Sequence, residues 1–243
     1  MSIWSDLGRI LANLATDALS AVVDGVRTFF EGSSESRRQV AFSIALIALS
    51  AKMAKADGVV TRAEVDAFRE VFEVPEEEIA NVSRLYNLAK QDVAGFDAYG
   101  AQVKSLFPGD DPTDNDVLHD VLDALFHIAK ADGFLHENEL LFLEEVACLF
   151  GFDSAAFARI QLRHTNPSGA DPYVILGADP SWDFARLKQH YRKRAAECHP
   201  DRLIARGVPP EFVTIANDRL AAINVAWEHL QEMHSNRKAL PVS

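Results

Sequence analysis

The sequence predicts an all-α protein. Three observations carry that expectation: apolar residues recur at three- and four-residue spacing through the 243-residue chain, a helix-turn-helix pattern occurs twice in its middle, and helix start and stop residues punctuate its end. The expected organisation is an N-terminal amphipathic helical segment over 1–31, a helical bundle of two related halves over 36–165, and a helical hairpin over 171–234.

In the first segment, Ile3, Trp4, Leu7, Ile10, Leu11, Leu14, Ala18, Leu19 and Val22 form one apolar stripe, broken near Asp24-Gly25 and followed by Val26, Phe29 and Phe30. Its polar face sets Asp6, Asp17 and Asp24 against Arg9 and Arg27, without the excess of Lys and Arg that holds a strong lipid binder on an anionic surface. Packing on its own protein or self-association is therefore the expectation, with contact to a membrane surface the alternative. The longest uncharged stretch in the first half of the chain, Gln39 to Ala51, has 13 residues, fewer than the roughly 18 to 20 that span a bilayer. No basic n-region precedes an apolar run, so neither secretion nor a transmembrane anchor is indicated.

Glu31-Gly-Ser-Ser-Glu-Ser36 is a polar linker, after which helical patterning runs to about Gln161 and gives way to the loop from Thr165 to Ala170. Within this region Lys55-Ala-Asp57-Gly58, followed by Glu64 and Val65, returns 75 residues later as Lys130-Ala-Asp132-Gly133, followed by Glu139 and Leu140. Each turn has an apolar helix before it (Ile44 to Ala54; Val117 to Ala129) and another after it. Asp-Gly with a later Glu also matches the second half of a Ca²⁺-binding EF-hand loop, where carboxylates supply oxygen ligands. The first half of such a loop is missing, because Lys55 and Lys130 stand two residues upstream of the Asp. The simpler reading is that Asp57 and Asp132 make the turns while Glu64 and Glu139 sit in the first turn of the next helix, close to Thr61 or His136. If the halves face each other, the alternative is a single divalent-metal site formed by Asp57, Glu64, Asp132 and Glu139. The other acidic run, Asp110, Asp111, Asp114, Asp116, Asp120 and Asp123, reads as a solvated loop and helix start.

The hairpin opens with Asp171-Pro172-Tyr-Val-Ile-Leu-Gly177, a short helix with an Asp cap, Pro at its first position and a Gly stop. A second helix, with Ser181 as a possible cap, has Phe184, Leu187, Tyr191, Ala195 and Cys198 on one face and Arg186, Lys188, Gln189, Arg192 and Lys193 on the other. Arg194 lies at the margin of the stripe and is expected to turn its guanidinium outward. Pro200 ends this helix. After a loop from Asp201 to Pro210, Phe212, Ala216, Leu220, Ile223, Trp227 and Leu230 mark a last helix that can pack on it. Because Pro200 fixes its own φ and disfavours helix at His199, the chain turns there and presents His199 and Asp201 at a rim beside the basic face. An ionised Asp at such a rim can form a charge-assisted hydrogen bond with a partner arginine.

Residues 171 to 232 resemble the J domain of DnaJ-type co-chaperones, with Tyr191, Arg192, His199, Pro200, Asp201 and Arg202 at the positions of that family's pattern. The stretch from Leu203 to Glu211 is similar to the DjlA branch, whose J domain comes last, and the repeat region 36–162 resembles the TerB-like domain that DjlA-type chains carry ahead of it. The resemblance implies that the protein binds the ATPase domain of an Hsp70 (DnaK-type) chaperone. On that expectation His199, Pro200 and Asp201 trigger ATP hydrolysis, and Lys188, Arg192 and Lys193 steer docking onto an acidic surface. DjlA-type proteins begin with a membrane-spanning segment, from which the amphipathic N-terminal pattern departs.

Charge is uneven. Residues 1–170 hold 27 acidic and 14 basic residues, whereas 171–234 hold 9 and 8, within a net −12 for the chain. General nucleic-acid binding is thereby disfavoured. Cys148 and Cys198 lie in apolar helical patterns without partners at metal or redox spacing, which predicts buried thiols in a reduced, cytoplasmic chain. No His-Glu-x-x-His, phosphate loop or nucleophile elbow is present, so the sequence supports no active site of its own and no resident cofactor beyond the divalent-metal alternative. The rival functional reading is an acidic metal-binding or metal-sensing protein that uses the hairpin as a docking arm.

Overall fold

A computed structural model describes residues 8–10, 12, 21–24, 34–57, 76–91, 96–107, 112–131, 133–166, 169–209 and 213–239. Among these the elements are helical, in the order α1 (Ser34–Asp57), a 3-10 turn (Glu76–Glu78), α2 (Ile79–Gln91), α3 (Phe96–Lys104), α4 (Pro112–Ala129), α5 (Glu137–Phe150), α6 (Ser154–Thr165), α7 (Pro172–Leu176), α8 (Phe184–Glu197), α9 (Pro200–Arg206) and α10 (Val213–Ala239).

Two helices form the centre of the bundle. In α1, Val40 to Ala54 is buried on every side, with Phe42, Ile44, Leu46, Ile47 and Leu49 fully enclosed. An all-round apolar surface is what a helix needs when neighbours cover its whole circumference. The 13-residue uncharged stretch is thus the spine of the core. In α4, Val117, Leu118, Val121, Leu122, Ala124, Leu125 and Phe126 are buried likewise. α1 packs on α2, α4 and α5, and α5 on α3 and α6. The first of the two central helices runs to Asp57 of one Asp-Gly pair, and the second ends at Ala129, shortly before the other pair in the sequence. Of the predicted N-terminal stripe, Ile10 and Val22 are described, and both are buried in this core, as is the neighbouring Val23. Gly8 lies close enough to α2 that a Cβ there would approach Asn81 to 2.8 Å. The remaining stripe residues lie outside the described part. No described helix is long and apolar enough to cross a membrane.

The C-terminal segment has a small core of its own. Asp171 caps α7 by accepting from the Tyr173 N–H at 2.9 Å, and Gly177 ends it at φ 63°, as the sequence indicated. The cap of α8 is Asp183, not Ser181: its carboxylate accepts from the Arg186 N–H at 2.7 Å. A carboxylate at this position also favours the positive end of the helix dipole, which a hydroxyl cannot do. Ile175, Leu176, Leu187, Cys198, Ile223, Ala226, Trp227 and Leu230 bury one another. Tyr191 stacks on Trp227 with centroids 4.8 Å apart, and its hydroxyl donates to the Asn224 side chain at 3.1 Å.

Three further expectations are corrected. The stretch from Asp201 onward is not simply a loop, because Pro200–Arg206 forms α9, with Pro at a first-turn position that requires no N–H. Cys148 is exposed, and only Cys198 is buried. Arg194 is half-buried and paired with Glu197 at 3.1 Å, so its charge is met locally and does not simply face water.

Candidate functional site

His199 is the N-cap of α9, in an extended conformation (φ −65°, ψ 136°) dictated by the following proline. Its Nδ1 accepts from the Asp201 N–H at 3.2 Å and lies 3.6 Å from the Asp201 carboxylate. The side chains of His199 and Asp201 are 56% and 88% exposed, so the turn presents an imidazole and a carboxylate to solvent. Lys188, Arg192 and Lys193 are exposed on α8, and Arg202 is exposed on α9. Lys193 makes only a loose pair with Glu197 at 3.8 Å. The arrangement offers a carboxylate acceptor and a field of cations to a macromolecular surface.

Of the four predicted metal ligands, Glu64, Asp132 and the side chain of Asp57 lie outside the described residues. Glu139 is buried at the start of α5, where its carboxylate accepts from the His136 backbone N–H at 2.9 Å, as a capping residue does. No cluster of three or more metal-type ligands occurs among the described residues.

The acidic run of α4 differs most from the sequence reading. Asp120 and Asp123, expected in solvent, are 2% and 0% exposed. Asp123 accepts from Arg163 at 3.1 Å, lies 2.9 Å from His164 Nε2, and pairs with Arg219. Asp120 pairs with Arg219 at 2.7 Å and Arg206 at 3.1 Å, and Asp116 lies 3.5 Å from Arg206. Burial alone would raise both carboxyls. At Asp123 the charges of Arg219 and Arg163 outweigh burial and hold it well below its ordinary value, whereas at Asp120 burial prevails over Arg219 and Arg206 and the group is raised. His119 is driven well below 6.5 by loss of water around the ring and by Arg219. His164 is lowered by its burial, which outweighs the nearby Asp123. A signal for this cluster does exist in the sequence. Asp120 and Asp123 fall among the apolar residues Val117, Leu118, Val121, Leu122, Ala124 and Leu125, and Arg219 interrupts the stripe running from Ala216 to Ile223.

An all-α bundle joined to a segment that displays His-Pro-Asp beside a basic face defines the class. The model for tellurite resistance protein TerB matches residues 43–162, so the bundle contains a TerB domain. Most of the chain is similar to proteins named co-chaperone protein DjlA. It is 28% identical to that of Vibrio parahaemolyticus over 84% of this chain and 82% of the relative. The relative from Vibrio cholerae is 29% identical over 84% of this chain and 82% of its own length, and that from Escherichia coli is 29% identical over 48% and 52%. Over most of its length the chain is thus similar to DjlA-type proteins, and its residues 43–162 match the TerB model. No solved structure matches it.

Proposed function

We propose that this protein is a DnaJ-like co-chaperone that docks on the ATPase domain of an Hsp70 and stimulates its ATP hydrolysis, with residues 171–234 acting as a J domain. The observation that carries the reading is the exposed His199-Pro200-Asp201 turn, held at a helix start beside the cations of α8. Lys188, Arg192 and Lys193 steer encounter with an acidic partner surface, and Asp201 supplies a charge-assisted acceptor for a partner arginine. The protein activates another protein's chemistry and carries out none itself. The names of its relatives agree with that role.

The test is single-turnover ATP hydrolysis by a bacterial Hsp70 with and without the full chain. Stimulation is expected, and His199→Gln or Asp201→Asn is expected to abolish it while circular dichroism stays unchanged. Equal stimulation by both variants rejects the mechanism.

A further inference from the structure

We infer that Asp120 and Asp123 of α4, together with Arg206 and Arg219, form an intramolecular latch through which the TerB bundle positions the His-Pro-Asp turn. This rests on the co-chaperone reading and adds an internal control of the same site. The helix that begins at the turn, α9, has seven residues, too few to hold a helical conformation or a direction alone. Its orientation must come from whatever grips it.

The grip comes from the bundle. Leu203 and Val208, with Ile215 and Ala216 of α10, are buried in the core built by α1 and α4. None of these four residues belongs to the small core around Trp227. Directly after α9, Gly207 adopts φ 98° and passes so near α1 that a Cβ would stand 2.4 Å from the Cβ of Arg38. Any other residue there would meet both backbone strain and a clash. Arg206, at the end of α9, reaches Asp120 at 3.1 Å and Asp116 at 3.5 Å. Arg219 bridges Asp120 and Asp123, and Arg163 and His164 brace Asp123 from α6.

Apolar contacts could hold α9 down but would leave its rotation loosely set. Buried, charge-assisted pairs add little net stability, since desolvation offsets much of their attraction, yet they accept few geometries. Seven residues at about 1.5 Å each place His199 roughly 10 Å from the latch, so a tilt of the helix at Arg206 moves the turn directly. The seam is also imperfectly filled. A partly open pocket of about 40 Å³ lies among Asp116, Asp120, Arg194, Glu197, Arg206 and Arg219, so the polar ends of the latch are not packed tightly on every side.

Arg206 and Asp120 are thus positioning residues, and their test needs a readout that general destabilisation would not move. In the full chain, Arg206→Met and Asp120→Asn are compared with wild type by hydrogen exchange and by the concentration dependence of Hsp70 ATP hydrolysis. Amides of 200–209 are expected to exchange about tenfold faster while those of α1 and α8 keep their protection. The concentration for half-maximal stimulation is expected to rise about three- to tenfold at an unchanged maximal rate, because apparent affinity falls with the fraction of turns correctly held. Arg206→Lys, which keeps a charge within reach of Asp120, should recover part of both effects. Unchanged exchange and unchanged half-maximal concentration overturn the latch, as does loss of protection spread evenly over α1 and α8. If wild type fails to stimulate at all, the co-chaperone reading falls and the latch is decided by exchange alone.

Discussion

The chain uses the same side chains in two opposite ways. On α4 and α10, Asp120, Asp123 and Arg219 are buried together, whereas at the α8–α9 turn Asp201, His199 and Lys193 face water with one weak pair among them. The buried set is committed internally and cannot meet a partner. The exposed set contributes little to the fold and is free to recognise one. Fold and function are therefore expected to separate under mutation, and the largest difference should appear in stability.

Arg219→Met leaves Asp120 and Asp123 short of a buried partner and is expected to destabilise the chain by about 3 to 5 kcal/mol. Asp201→Asn, with no buried partner to strand, is expected within about 0.5 kcal/mol of wild type. Paired denaturant melts decide between them, and equal losses would erase the distinction.

Acidification sharpens the same contrast. The folded-state pKa values of His119 and His164 are lowered, so below the ordinary histidine value near 6.5 the unfolded chain takes up protons that the folded chain refuses. Stability present above that pH is lost as pH falls, by up to about 1.4 kcal/mol per pH unit for each imidazole. The raised Asp120 acts first and in the opposite direction, adding stability as pH falls from its folded value to about 3.8, and below about 3.8 the depressed Asp123 brings a further loss. Melting temperatures at pH 7.5 and 5.5 should differ clearly in wild type and less in His164→Gln. A flat profile between these pH values would contradict the desolvation of the His164 ring, whose side chain is 8% exposed.

On the exposed side, replacing Lys188, Arg192 and Lys193 with Glu should leave the melting temperature nearly unchanged but slow association with Hsp70, and salt should weaken wild-type binding as well. Salt-independent association would point to an apolar interface. The smallest effect is expected at Glu139, where Gln removes a charged cap contact worth a few tenths to about 1 kcal/mol. Ca²⁺ or Mg²⁺ should leave the melting temperature of the full chain unmoved. A saturable rise removed by Glu139→Gln would instead restore the metal-site alternative.

Local signals were enough for several of the longer helices but missed α9. Spacing placed α1, α4, α8 and α10, and Asp171, Pro172 and Gly177 bounded α7 to the residue, because caps and periodicity act within a few positions of chain. They also placed His199 and Asp201 at an exposed turn, since proline's restriction of its neighbour needs no tertiary help. Sequence alone could not decide where the charges of α4 would go. Asp120 and Asp123 read as solvated because their partners, Arg163, Arg206 and Arg219, lie 40 to 99 residues away, and only the folded chain brings them together. Nor does local pattern say which core takes α9, since Leu203 and Val208 look the same in either. That choice fell to the tertiary structure, where Gly207 lets the backbone close on α1 and buried carboxylates find their arginines across the seam.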